Sequence, residues 1–312
     1  MVKSETIAPA KGWERLVGQL LRRRATAVLL GASDSGKSTL ARYLLENLLE
    51  KSASVCLVDS DVGQSSLGFP AVIASRLFRG PEDLGRYWPQ MGPPGGLRLP
   101  GVGAMFFIGT VNPAKSIARM IYGTGKMAAL CGRKGADVTL VDTTGLVSGR
   151  AGRALKLGKI RLLRPAHIIA IEKNGELEHI LSALRQDGLR FSLHRLRPSN
   201  LARVTSRRDR IRYREGKFRE YFRQSDTVKF PTGGVGLYRG GRPFALAGGE
   251  AQPGCLVGLN RGEDTLGLGI FKRSDASGVF VRTPLSLRLA KRVDGIAFGE
   301  VVIEDEDDGC GG

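Results

Sequence analysis

The run Gly31-Ala32-Ser33-Asp34-Ser35-Gly36-Lys37-Ser38-Thr39 constrains this chain more than any other feature. It has the spacing GxxxxGK[ST]. It follows the apolar run Thr26-Ala27-Val28-Leu29-Leu30 and opens a stretch to about Glu50 in which Leu40, Tyr43, Leu44 and Leu48 mark a helix. A buried strand, a small-residue loop and a helix in that order turn backbone N–H groups toward the positive end of the helix dipole. Such a loop cradles phosphates. Gly31 through Thr39 form the cradle, Lys37 has the length to reach β- and γ-phosphates, and the Ser38 hydroxyl can ligate Mg²⁺.

The same alternation continues along the chain. Val55-Cys56-Leu57-Val58 reads as a second buried strand, Met105 to Ile108 as another, Val138 to Val141 as a fourth and Ile168 to Ile171 as a fifth. Helical stretches are expected near Ser116–Leu130 and Leu177–Leu184. Strands separated by helices make β-α-β units, hence an α/β, mostly parallel sheet with its ligand edge at the strands' C-terminal ends. A short amphipathic helix, with Trp13, Leu16, Val17, Leu20 and Leu21 on one face, precedes the first strand. Residues 80–104 are rich in Gly and Pro and read as a surface excursion. From about residue 226, short β-type runs alternate with Gly-rich turns, which predicts a small C-terminal all-β domain. The expected division is residues 1–25 for the first helix, 26–224 for the α/β domain, 225–303 for the β domain and 304–312 for an acidic tail.

Three further groups carry chemistry. Asp59 and Asp61 end the strand through Val58, with Gln64 three residues on, so a metal role is expected for both carboxylates. Asp142-Thr143-Thr144-Gly145 ends another strand. DxxG there also suits a GTPase switch loop, but the strand through Ile171 runs into Glu172-Lys173-Asn174-Gly175, not the Asn-Lys-x-Asp that reads guanine. Residues 203–223 are strongly basic, and Arg210 and Arg214 stand four apart, on one face of a helix. On spacing alone they fit a solvated basic helix as well as a pair closing over a transferring phosphoryl group.

Together these elements resemble the polynucleotide 5′-hydroxyl kinase family, which includes the RNA kinase subunit of the eukaryotic pre-mRNA 3′-end cleavage machinery, kinases of pre-ribosomal RNA processing, and shorter prokaryotic relatives. The family's phosphate loop falls on Gly31–Thr39, and its Asp-x-x-Gln on Asp61 and Gln64. Its Thr-x-Gly-Trp clasp falls on Thr143, Thr144, Gly145 and Leu146, and its Arg-x-x-x-Arg lid on Arg210 and Arg214 ahead of Arg219-Glu220-Tyr221-Phe222. The resemblance implies a P-loop NTPase three-layer sandwich that uses ATP and Mg²⁺ to phosphorylate the 5′ end of single-stranded RNA or DNA. It implies catalytic roles for Lys37, Asp61, Arg210 and Arg214, metal contacts for Ser38, Asp59 and Asp61, and substrate contacts for Gln64 and Thr143 through Leu146. Leu146 stands where the family has an aromatic stacking surface. The alternatives are a catalytically weak ATP-bound scaffold and a GTPase or generic NTPase.

Charge fits a polyanionic partner: 48 Lys and Arg against 30 Asp and Glu give a net +18 over 312 residues. No run approaches the length of apolar chain needed to cross a bilayer, and the start lacks a secretory leader pattern. The four cysteines show no CxxC spacing, so neither a zinc cage nor a disulfide framework is indicated, Cys56 is expected in the core, and a reducing cytoplasm is the default. His167, His179 and His194 lack ligand spacing and are expected to be structural or on the surface.

Overall fold

The computed structural model describes residues 12–85, 103–198, 204–246 and 251–304. The densest Gly/Pro stretch, Arg203 at the start of the basic segment, and the acidic tail beyond Glu304 lie outside the described residues. In chain order the first part comprises α1 (Trp13–Arg22), β1 (Thr26–Gly31), α2 (Lys37–Glu50), β2 (Val55–Ser60), β3 (Val72–Phe78), α3 (Glu82–Gly85), β4 (Ala104–Phe107), α4 (Ile117–Arg133), β5 (Val138–Thr143), α5 (Gly149–Leu163), β6 (His167–Ile171), α6 (Glu178–Gln186), β7 (Ser192–Leu196) and α7 (Arg207–Phe222). A second set follows: β8 (Asp226–Pro231), β9 (Gly236–Arg239), β10 (Arg242–Pro243), β11 (Cys255–Arg261), β12 (Asp264–Asp275), β13 (Gly278–Thr283), α8 (Leu287–Ala290) and β14 (Gly295–Val302).

The first sheet runs β4-β3-β2-β5-β1-β6-β7. Its five strands from β2 to β7 are parallel, and β3 and β4 extend the edge as an antiparallel pair. Apolar side chains cover both faces, as a parallel sheet requires. Leu40, Leu44 and Leu48 of α2, backed by Trp13 and Leu16 of α1, fill one face; Met120 and Met127 of α4, Leu155 and Ile160 of α5 and Leu181 of α6 fill the other. The result is a three-layer α/β sandwich with its loops of interest at the C-terminal ends of β1, β2 and β5.

The second sheet, β10-β9-β14-β11-β12-β13-β8, is antiparallel except for the β14–β9 pair. It is bonded into the rest of the molecule. A shared core joins Val72, Met105 and Phe107 of the first sheet, Phe218, Tyr221 and Phe222 at the end of α7, and Leu256, Leu268 and Ile270 of the second sheet. The backbone N–H of Phe107 donates to Thr265 Oγ1 at 2.9 Å, and that of Leu268 to the Tyr221 hydroxyl at 2.8 Å. The C-terminal end of α7 is therefore rooted in the β domain.

One expectation is overturned. Cys56 on β2 and Cys131 on α4 form a disulfide, both side chains being buried against the sheet. Spacing gives no hint of it because the two residues meet only once α4 packs on β2. The bond closes a loop with a sequence separation of 75. Restricting the unfolded chain to that extent stabilises by about 4 kcal/mol. Denaturant melts with and without a thiol reductant are therefore expected to differ by roughly that amount, and a Cys56→Ala/Cys131→Ala variant should melt at one midpoint in both conditions. Coincident wild-type melts would remove the bond from the stability of this protein. His167 and His194 contact each other through their rings at 3.0 Å, linking β7 to β6, and His179 lies exposed on α6.

Candidate active site at the C-terminal strand edge

The loop between β1 and α2 is built as its sequence demands. Gly36 at the mouth of α2 has φ +90° and Asp34 has φ +58°, the left-handed region that Gly adopts freely and Asp tolerates. Lys37, only 6% exposed, folds back to donate to the Ala32 carbonyl at 2.6 Å. Burial lowers its proton affinity, opposed by the charges of Asp142, Asp61 and Asp34, with Arg210 adding to the lowering. That set of interactions brings the phosphate loop, two strand ends and the basic helix around one ammonium group.

Ser38 identifies the carboxylate opposite the loop. Its hydroxyl donates to Asp142 Oδ2 at 2.6 Å. Asp142 Oδ1 is buried and has no hydrogen-bond partner, and burial, followed by the charge of Asp59, raises its proton affinity to a pKa of about 7. A buried, unpartnered carboxylate oxygen beside a loop hydroxyl suits a divalent cation, which needs few protein ligands when phosphates and water complete its shell. Among the described residues no cluster of three or more His, Cys, Asp or Glu forms a self-sufficient metal cage. Ser38 and Asp142 thus fit Mg²⁺ held jointly with a nucleotide.

From sequence alone Asp142 has no role of its own, and the structure sets it opposite the Ser38 hydroxyl. Asp59, expected at the metal, is turned inward instead. Its Oδ2 accepts from the backbone N–H groups of Ser66 at 2.6 Å and Leu67 at 2.8 Å and from the Ser65 hydroxyl at 2.9 Å, while Oδ1 accepts from the Asp61 N–H at 3.0 Å. Both oxygens are occupied in shaping the turn. Asp61 lies less deeply. One of its oxygens accepts from the N–H groups of Gly63 at 2.9 Å and Gln64 at 3.1 Å, so this turn fixes Gln64 beside the Asp61 carboxylate.

The clasp residues also differ from expectation. The Thr143 hydroxyl donates to the Leu29 carbonyl at 2.7 Å and accepts from Lys156 at 2.8 Å, so it ties β5 to β1 rather than facing a substrate. Thr144 is 2% exposed, and its hydroxyl accepts from Lys156 at 3.3 Å. Gly145 lies flush on the phosphate loop: a Cβ there would come within 2.5 Å of the Ser33 backbone nitrogen. Leu146 packs against the core beneath the α4–α6 face.

The basic segment is helix α7, started by Ser206, whose hydroxyl accepts from the Asp209 N–H at 3.1 Å. Arg210 reaches across to Asp34 Oδ2 at 2.6 Å, and the Thr205 N–H donates to the same oxygen at 3.2 Å. Arg210 Nε is buried without a partner. Burial lowers the proton affinity of Arg214, with the neighbouring charges of Arg210 and Arg207 acting in the same direction. Between the arginines, the Tyr213 hydroxyl donates to the Ser65 carbonyl at 2.7 Å, the residue is 36% exposed, and Lys217 Nζ stands 5.6 Å from the centre of its ring.

Residues 31–224 match the family model described as mRNA cleavage and polyadenylation factor CLP1 P-loop. A curated protein of Pyrococcus horikoshii, named polyribonucleotide 5′-hydroxyl-kinase, is 34% identical over 214 residues, covering 67% of this chain and 53% of its own. A protein of Methanocaldococcus jannaschii with the same name is 36% identical over 198 residues, covering 64% of this chain and 50% of its own. The chain thus spans about half the length of these relatives. A solved structure of a wild-type Clp1p–Pcf11p complex superposes with TM-score 0.70 at 12% identity, over 95% of this chain and 80% of that one, which speaks to the fold alone. With the family match extending from the phosphate loop through the basic helix, this chain belongs to the CLP1 P-loop family.

Proposed function

We propose that this protein is an ATP-dependent polynucleotide 5′-hydroxyl kinase, transferring the γ-phosphoryl of ATP to the 5′-hydroxyl of single-stranded RNA or DNA. The observation that carries this reading is that the phosphate loop is held from both sides, Ser38 donating to Asp142 at the end of β5 at 2.6 Å and Asp34 pairing with Arg210 of α7 at 2.6 Å. The names of the archaeal relatives support the substrate class, and the net charge of +18 suits a polyanion.

Phosphoryl transfer needs alignment and charge compensation more than covalent chemistry from the protein. The loop Gly31–Thr39 binds the triphosphate, and Lys37 leaves the Ala32 carbonyl for the β/γ-phosphates. Mg²⁺, held by Ser38 and Asp142 with Asp61 nearby, would neutralise charge on the phosphate oxygens. Asp61 accepts the proton of the 5′-hydroxyl as its oxygen bonds to the γ-phosphorus and the bond to the β,γ-bridging oxygen breaks. ADP leaves with that electron pair. Arg210 and Arg214 offset the charge on the phosphoryl group in flight, and Gln64 supports the acceptor beside Asp61. Gly145 keeps the clasp against the phosphate loop.

Tyr213 supplies the aromatic surface that Leu146 cannot. Base stacking on a ring is worth about 1–3 kcal/mol. Tyr213→Leu is therefore expected to raise the oligonucleotide KM by roughly 5- to 150-fold while Tyr213→Phe stays near wild type; an unchanged KM in Tyr213→Leu would remove the ring from substrate binding. The function itself is tested with γ-labelled ATP and a 5′-hydroxyl oligonucleotide. Label on the oligonucleotide is expected. Free phosphate alone would mark an NTPase, and nucleotide binding without turnover a scaffold.

A further inference from the structure

Helix α5 carries two lysines that the phosphoryl-transfer chemistry above does not use. Lys156 is fully buried and Lys159 is 1% exposed. Removing an ammonium group from water costs several kcal/mol unless its protons are well placed. Leu or Met would fill either position more cheaply, so packing does not account for lysine here.

What the two heads hold is specific. Lys156 Nζ donates to Thr143 Oγ1 at 2.8 Å, to Thr144 Oγ1 at 3.3 Å, and also to the Thr144 carbonyl. Lys159 Nζ donates to Ser60 Oγ at 2.8 Å and contacts the Ser60 carbonyl at 3.5 Å. All these partners are uncharged oxygens, and all lie at the C-terminal ends of β5 and β2. One step further along the chain stand Gly145, pressed on the phosphate loop, and Asp61, the acceptor-side carboxylate. Spaced i, i+3 on a helix of 15 residues, the two side-chain nitrogens form a two-pronged brace beneath neighbouring strand ends. Ser60 is braced twice, since its hydroxyl also donates to the Asp142 carbonyl at 2.8 Å.

We propose that Lys156 and Lys159 are positioning residues that fix the acceptor side of the site, Lys156 through Thr144 and Lys159 through Ser60, so that the 5′-hydroxyl lies in line with the γ-phosphorus. This inference rests on the kinase reading. The phosphate loop between β1 and α2 makes its own contacts to the triphosphate, and neither lysine is hydrogen-bonded to a residue of that loop. A misplacement of about 1 Å in a reacting group can lower a rate by on the order of 10²-fold. Loss of either brace should therefore harm transfer to the oligonucleotide while sparing nucleotide binding.

The test compares wild type, Lys156→Met, Lys159→Met, Ser60→Ala and Lys159→Met/Ser60→Ala. The measurements are transfer to a 5′-hydroxyl oligonucleotide, ATP affinity, slow ATP hydrolysis without acceptor, and melting temperature. The expected result is a loss of about 10- to 100-fold in kcat/KM for the oligonucleotide, with ATP affinity and acceptor-free hydrolysis within about twofold of wild type in the two single lysine variants. The Lys159→Met/Ser60→Ala double variant should lose no more than the worse single, because the two act as one unit. If Lys156→Met does not fold, the Lys159–Ser60 cycle carries the test. Equal losses in transfer and acceptor-free hydrolysis, losses that follow melting temperature, or unchanged transfer would each overturn the positioning role. Wild-type protein that labels no oligonucleotide would instead overturn the kinase reading on which it rests.

Discussion

Asp142→Asn is expected to reduce phosphoryl transfer by about 10³-fold while leaving the fold intact. The substitution preserves shape and still accepts from Ser38, whose hydroxyl lies 2.6 Å from Oδ2. It removes the negative charge at the buried, unpartnered Oδ1, and with it the attraction for a cation bridging loop and phosphates. ATP affinity should lose its dependence on Mg²⁺. Transfer at the wild-type rate would move the metal site to Asp61 alone.

The same variant has a stability signature of opposite sign. Burial raises the Asp142 pKa to about 7, well above its value in an unfolded chain. Between those two values the folded state binds the extra proton, so this group's contribution to stability is present at low pH and is lost as pH rises through about 7. Asparagine carries no such penalty. Measured without nucleotide or Mg²⁺, Asp142→Asn should gain stability relative to wild type as pH rises from about 4 to about 7. A residue whose replacement stabilises the protein and abolishes its chemistry is one held in place by function.

How much of this was legible in the chain depends on what each signal measures. The phosphate loop and its flanking strand and helix announce themselves because backbone geometry there demands Gly and a helix mouth demands small residues. Adjacency between strands leaves no such mark. Both Asp61 and Asp142 follow apolar runs, and only the sheet order β2-β5-β1 shows that Asp142 stands beside the loop's own strand, with the Asp59–Asp61 turn one strand further away. Helix α5 was hidden for a different reason. Gly149, Gly152 and Gly158 lower its helix propensity, and Lys156 and Lys159 occupy inward positions where periodicity looks for apolar residues. The feature that conceals the helix is therefore the one that points to its role. Strand β7, with His194 and Arg195 inside it, is an edge strand whose mixed polarity also defeats a burial pattern.

On the kinase reading, the other large effect is expected at Arg210 and Arg214. Arg210→Ala/Arg214→Ala is expected to lower kcat by about 10³-fold or more, the range over which arginines compensate charge in phosphoryl transfer. The geometry explains why a single lysine will not substitute. Arg210 spends one guanidinium nitrogen on Asp34 Oδ2, at 2.6 Å, and keeps Nε buried and unpartnered. A planar fork can hold the loop carboxylate and present a second donor to phosphate at once, whereas an ammonium group is a single point of charge. Arg210→Lys should therefore fall most of the way to Arg210→Ala. Because the far end of α7 is rooted through Phe218, Tyr221 and Phe222 in the core shared with the β domain, loss of the arginines should leave the helix in place and the melting temperature nearly unchanged. ATP affinity should fall far less than kcat, since the loop makes its own phosphate contacts. Should the double variant transfer phosphate at the wild-type rate, α7 would be a basic surface for the strand and not part of the chemistry. Should kcat and ATP affinity fall equally, the arginines would serve ground-state binding of the triphosphate and not its transfer.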